Sequence, residues 1–115
     1  MSVLVIEDEP LIAMEIVDAF KKAGAVVTTT FSFKQALVLV EHDGLAAAIL
    51  DHALGENDSS QLCARLKERD IPFVVYSGFS KIKGACAAGP LVQKPVSPDE
   101  LIATVEGLLE SKRGT

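Results

Sequence analysis

The sequence predicts an α/β domain in which a parallel sheet is covered by helices on both faces, three layers in all. Three observations carry that expectation. Apolar runs at residues 3–6, 46–50 and 71–76 are too short for a helix and too apolar for a half-exposed strand, which is the pattern of strands buried on both sides. Segments with apolar residues at helical spacing separate the runs, so strand and helix alternate five times, as in a doubly wound sheet with right-handed crossovers. Polar residues, several of them acids, stand where the runs end. In this architecture the carboxyl ends of the strands share one edge, and sites form where the strand order reverses.

Residues 3–6 make the first strand. Glu9-Pro10 then opens a helix, because the N–H that proline lacks is not needed in the first turn. Leu11, Ile12, Ile16, Val17 and Phe20 supply the apolar face, and Gly24 is placed to end the helix. Residues 25–30 are rich in β-branched side chains and read as a second strand. Ser32 with Gln35 has capping-box spacing and starts a second helix to about Glu41, broken by His42-Asp43-Gly44. The central strand, 46–51, runs Ala-Ala-Ala-Ile-Leu-Asp and leads into a polar loop, 53–57.

Asp58 and Gln61 repeat the capping spacing, and Leu62, Cys63 and Leu66 give the third helix its apolar face. A fourth strand, 71–76, ends at Ser77-Gly78; residues 80–88 read as a short alanine-rich helix bounded by Gly89. Leu91 to Gln93 form a short fifth strand before Lys94-Pro95. Ser97, Pro98 and Glu100 then set an N-cap, an N1 proline and an N3 acid for a last helix to about Ser111. Leu101, Ile102, Val105, Leu108 and Leu109 form its buried stripe.

Composition narrows the function classes. A chain of 115 residues fits one domain, residues 1–115, and 49% apolar content excludes disorder. No stretch approaches the roughly 18 apolar residues of a membrane span. The first strand starts almost at Met1, without a secretory n-region, so the expected compartment is the cytoplasm. A net charge of -5 disfavours direct nucleic-acid binding. Cys63 and Cys86 form no CxxC pair and are expected to be small core residues in a reducing compartment, with neither disulfide nor metal assigned to them. His42 and His52 lack metal-ligand spacing; His42 is read as solvated and His52 as structural.

The alternating topology brings Glu7, Asp8, Asp51, Ser77 and Lys94 to one edge. Taken singly, Asp8 reads as a helix N-cap, Ser77 as a turn residue and Lys94 as a surface lysine. Those readings must all hold together, each at a strand's carboxyl end, and one shared site is the simpler account. Three carboxylates within a few ångströms raise one another's pKa unless positive charge intervenes. Mg²⁺, which takes oxygen ligands and retains waters, meets that need and leaves room for a phosphoryl oxygen. Asp51 is then placed to attack phosphorus and form an aspartyl phosphate, with Lys94 neutralising charge and the Ser77 hydroxyl bonding the phosphoryl group.

The motifs that carry this site resemble the receiver domain of bacterial two-component response regulators. They are Val-Leu-Val-Ile-Glu-Asp-Glu at the first strand end, Ile-Leu-Asp at the third, Val-Tyr-Ser-Gly at the fourth and Gln-Lys-Pro-Val at the fifth. The resemblance implies a flavodoxin-like (βα)5 fold with strand order 2-1-3-4-5, and phosphorylation of Asp51 by a histidine kinase or phosphotransfer protein. It implies Mg²⁺ held by Asp8, Asp51 and the backbone carbonyl of Ala53, with Glu7 acting through water, and a cis Lys94-Pro95 peptide. Glu-Asp-Glu-Pro-Leu-Ile-Ala-Met, Leu54-Gly55 and Pro-Phe-Val-Val-Tyr-Ser-Gly-Phe are similar to an alphaproteobacterial subgroup of stand-alone receivers with a Phe-Ala-Thr-Gly-Tyr/Phe motif, which this chain matches in part.

Departures from the family pattern bear on behaviour. Leu91 stands where receivers commonly carry an aromatic switch residue, so Tyr76, Phe79 or rearrangement of residues 80–89 is expected to take that part. Ala53 and Phe79, two residues past Asp51 and Ser77, offer no side-chain hydrogen bond to an attacking water, so slow self-dephosphorylation is expected. The leading reading is a phosphoacceptor switch that alters protein contacts, not a turnover enzyme, either standing alone or cut from a larger regulator or hybrid kinase. An aspartyl-nucleophile phosphatase needs a second acid where Ala53 stands. A phosphorylation-independent binding module leaves the acids and Lys94 without purpose.

Overall fold

The structure, a computed structural model, describes residues 1–51, 56–77, 86, 89–93 and 97–113, with the backbone alone at 56–58, 77, 93, 112 and 113. In chain order the elements are β1 (Ser2–Ile6), α1 (Pro10–Lys22), β2 (Val26–Thr30), α2 (Phe33–Leu39), β3 (Ala47–Asp51), α3 (Glu56–Glu68), β4 (Phe73–Ser77), β5 (Leu91–Gln93) and α4 (Pro98–Arg113). The five strands are all parallel, in the order β2-β1-β3-β4-β5. This is the expected doubly wound, flavodoxin-like topology. Strand order reverses between β1 and β3, whose carboxyl ends therefore flank the switch point.

Two apolar layers flank the sheet, and strand alternation divides the residues between them. Leu4, Ile6, Ala48, Leu50, Phe73 and Val75 pack against α2 and α3 through Ala36, Val40, Leu62, Cys63 and Leu66. Val3, Val5, Ala47, Ile49, Val74 and Tyr76 pack against α1 and α4 through Ile16, Phe20, Leu101 and Val105. All five residues of β3 are buried, as expected of the central strand.

Local chemistry sets most of the boundaries. Gly24 adopts φ 92°, the left-handed conformation that ends α1 where the sequence places a stop. The Ser32 side chain accepts from Gln35 N, as a capping box requires, but the return bond is relayed: Thr30 Oγ1 donates to Gln35 and accepts from Ser32 N at 3.1 Å. At α4, Asp99 N donates to Ser97 Oγ at 3.2 Å, beside Pro98. Gly89 is required by close approach, since a Cβ there would lie 2.6 Å from the Phe73 ring and 2.7 Å from its carbonyl oxygen.

Three expectations change. α3 begins at Glu56, so Asp58 lies inside its first turn and not at the cap; acids in that turn suit the positive end of the helix dipole. Ile71 belongs to the close of α3, its N–H bonding Leu66 O at 2.9 Å, and β4 starts at Phe73. Cys63 and Cys86, expected to be unbridged, form a disulfide with Cα atoms 5.0 Å apart across a separation of 23 residues. Both are buried, as core cysteines should be. The expectation rested on sequence spacing and compartment, neither of which constrains distance in the fold: Cys63 of α3 and Cys86 lie in the same buried cluster on one face of the sheet. Apart from Cys86, the short helix at 80–88 lies outside the described residues.

Candidate functional site

The site grows out of the strand register. Ile6 pairs with Leu50 and Asp51 pairs with Tyr76, so one step past β1 Glu7 stands level with Asp51. Alternation puts Glu7 on the side of Val3 and Val5, Asp51 on that of Ala47 and Ile49, and Tyr76 on that of Val74, all toward α1 and α4. Glu7 N donates to Thr30 O at 3.0 Å, which extends the β1–β2 ladder and holds the acid at the sheet edge.

Glu7 is 2% exposed, Asp51 1% exposed and Asp8 open to solvent. One carboxylate oxygen from each lies within 4.8 Å of the others. The capping role open to Asp8 is not taken: the N-cap of α1 is Glu9, and it makes no side-chain cap bond. Two acids set in an apolar sheet and drawn this close to a third are costly without a compensating cation. The all-oxygen donor set fits a hard divalent ion such as Mg²⁺.

Tyr76, named from the sequence only as a candidate switch residue, joins the acid site, a role that sequence reasoning missed. Its ring is fully buried, and its hydroxyl donates to Glu7 Oε2 at 2.7 Å. Burial, then that hydrogen bond, then the charges of Glu7, Asp51 and Asp8 hold the phenol pKa far above its ordinary range, so it stays a protonated donor. A signal for it exists in the sequence, since residue 76 has the strand parity of 74 and sits where β4 meets Asp51. Of the other expected site residues, Ser77 is described by its backbone only, as the last residue of β4 paired with Gln93. Ala53, Lys94, His52, Leu54-Gly55, Phe79 and the Lys94-Pro95 peptide lie outside the described residues.

A doubly wound parallel sheet with an acid cluster at its switch point, two of its three carboxylates buried, defines a class of α/β protein suited to hold an oxygen-liganded charge at one edge. The model of the response regulator receiver domain matches residues 3–106, and the chain belongs to that family. Receiver domains are regulatory switches of two-component systems that generally bind Mg²⁺ at an acidic pocket and interact with histidine kinases or phosphotransfer proteins. The chain is 29% identical to the transcriptional regulatory protein TcrA of Mycobacterium tuberculosis, over 97% of this chain and 46% of the relative; it thus spans about half the length of that curated relative.

Among solved structures, the BeF3-activated conformation of SdrG from Pseudomonas melonis Fr1 is 36% identical with a TM-score of 0.74, covering 94% of this chain and 95% of that one. The receiver domain of the Francisella response regulator 1452 is 27% identical with a TM-score of 0.80, over 96% and 98%. Among the described residues no helix is long and apolar enough to cross a membrane.

Proposed function

We propose that residues 1–115 form a receiver that works as a phosphorylation-dependent switch, with Asp51 as phosphoacceptor. The observation that carries this is the convergence of Glu7, Asp8 and Asp51 within 4.8 Å at the switch point, two of them buried. Glu7, Asp8, Asp51 and the backbone carbonyl of Ala53 are the groups assigned to Mg²⁺. When bound, Mg²⁺ supplies positive charge that offsets the acids' repulsion and the charge on the incoming phosphoryl oxygens.

The donor is a phosphohistidine on a histidine kinase or phosphotransfer protein. An oxygen of Asp51 bonds to phosphorus as the phosphorus–nitrogen bond breaks; the electron pair returns to the imidazole, which takes up a proton. Burial fixes Asp51 in one orientation, so the attack needs little further ordering. Lys94 answers the negative charge left on the phosphoryl group, and the Ser77 hydroxyl donates to it once it has formed. The modified state then shifts an existing equilibrium and changes which protein the chain contacts, in the cytoplasm.

Intact-mass analysis after incubation with Mg²⁺ and a small phosphodonor tests the assignment. The expected result is one added phosphoryl group, absent from Asp51→Asn; modification that survives in that variant rejects Asp51, and turnover of phosphomonoesters supports an aspartyl phosphatase instead. Because Ala53 and Phe79, two residues past Asp51 and Ser77 in sequence, offer no side-chain hydrogen bond to an attacking water, the phosphorylated form is expected to be long-lived, and Phe79→Ala to shorten its lifetime.

A further inference from the structure

We propose that Tyr76 is a positioning residue for the metal site, its hydroxyl setting the Glu7 carboxylate through the hydrogen bond to Oε2. The inference rests on the receiver reading and on the assignment of Glu7 to the cation. By register, Asp51 lies between the two residues: Tyr76 pairs with Asp51, and Asp51 stands level with Glu7. Two strand spacings come to roughly 10 Å, a gap that the long side chains of tyrosine and glutamate close together and that a serine or threonine in place of the tyrosine does not.

The chemistry suits the task. A hydroxyl placed in a core costs stability unless it is bonded, and packing alone is met by phenylalanine. At 2.7 Å the contact has the length of a well-formed O–H···O hydrogen bond. A phenol donates without adding positive charge, whereas lysine or arginine at the same place would neutralise Glu7 and compete with a cation. The ring is fully buried in the cluster that also contains Ile16, Val92, Leu101 and Val105, and close packing there limits the freedom of its hydroxyl. An ionised carboxylate has about four lone-pair sites on two oxygens, so a bond at Oε2 does not by itself exclude an ion or its water.

The protein carries one tyrosine and no tryptophan, so emission excited at wavelengths beyond the phenylalanine band comes from Tyr76 alone. Titration of the unmodified protein with MgCl2 is expected to change that emission, with the same midpoint as calorimetric binding, and the change is expected to vanish in Glu7→Ala. By calorimetry, Tyr76→Phe is expected to weaken Mg²⁺ binding about tenfold, the lower end for a group that orients a metal ligand, and to have no further effect in the Glu7→Ala background. Flat tyrosine emission while calorimetry shows binding overturns the proposal and leaves the receiver reading intact. So does unchanged Mg²⁺ affinity in Tyr76→Phe, or an equal loss with and without Glu7. Absence of Mg²⁺ binding by the unmodified protein, or undiminished binding by Asp51→Asn, overturns the receiver site itself.

Discussion

The two faces of the sheet are built differently. The face under α2 and α3 is tied at separate points: Cys63 to Cys86, the Arg65 guanidinium to both oxygens of Glu41, and Arg69 to the Val40 carbonyl at the end of α2. The face under α1 and α4 is joined by apolar side chains, and the polar link described within it runs from Tyr76 to Glu7, straight into the acid cluster. The difference teaches where chemistry and stability separate. Ties on the first face hold helices in place away from the acids, whereas packing on the second face carries the residues that form the site.

Loss of a large side chain from the second face is the strongest way to break that comparison. Leu101→Ala is expected to cost about 3–4 kcal/mol of stability, as buried leucine truncations do, and to weaken Mg²⁺ binding because the cluster that holds Tyr76 loosens; urea unfolding and calorimetry check the two effects. Retained affinity would mean that the second face is as remote from the site as the first. Cys63→Ala comes next. Opening a covalent loop across 23 residues costs about 3 kcal/mol on chain-entropy grounds, and Mg²⁺ affinity is expected to stay at the level of the unmodified protein.

Gly89→Ala is expected to cost about 2 kcal/mol, within the range for overpacking, since the new methyl collides with Phe73 in both ring and backbone. Thermal unfolding measures it. The smallest effect belongs to the exposed ion pair. Its hydrogen bond to Arg65 holds the Glu41 carboxyl below its ordinary 4.5. A depressed folded-state pKa adds stability above the unfolded value and loses it as pH falls through the folded one, so the pair matters least in acid. NMR titration is expected to place the Glu41 midpoint below 4.5 and to return it toward that value in Arg65→Met.

Much of the second face was legible because its signals are local. Runs of buried strand, the Ser97-Pro98 helix start and acids at strand ends each come from neighbouring residues. The Glu7, Asp8 and Asp51 cluster followed once the topology was inferred, since parallel strands bring their carboxyl ends to one edge. The first face depended on contacts that no local pattern encodes. Cys63 meets Cys86 on the same face although β4 intervenes in the chain, and Arg69, just past the end of α3, reaches Val40 at the end of α2. α3 closes at Asp70 with φ 57°, a left-handed conformation that sequence reasoning assigns to glycine. Tyr76 lay between the two cases: its parity could be counted, but its reach past Asp51 to Glu7 required the register.

The bond from the Glu7 amide to the Thr30 carbonyl has a use beyond anchoring. β2 is the outermost strand on that side, and most of its residues are at least partly open to water. Deuterium reaches the Glu7 amide when that border peels away, so its exchange rate is a clock for fraying at the threshold of the acids.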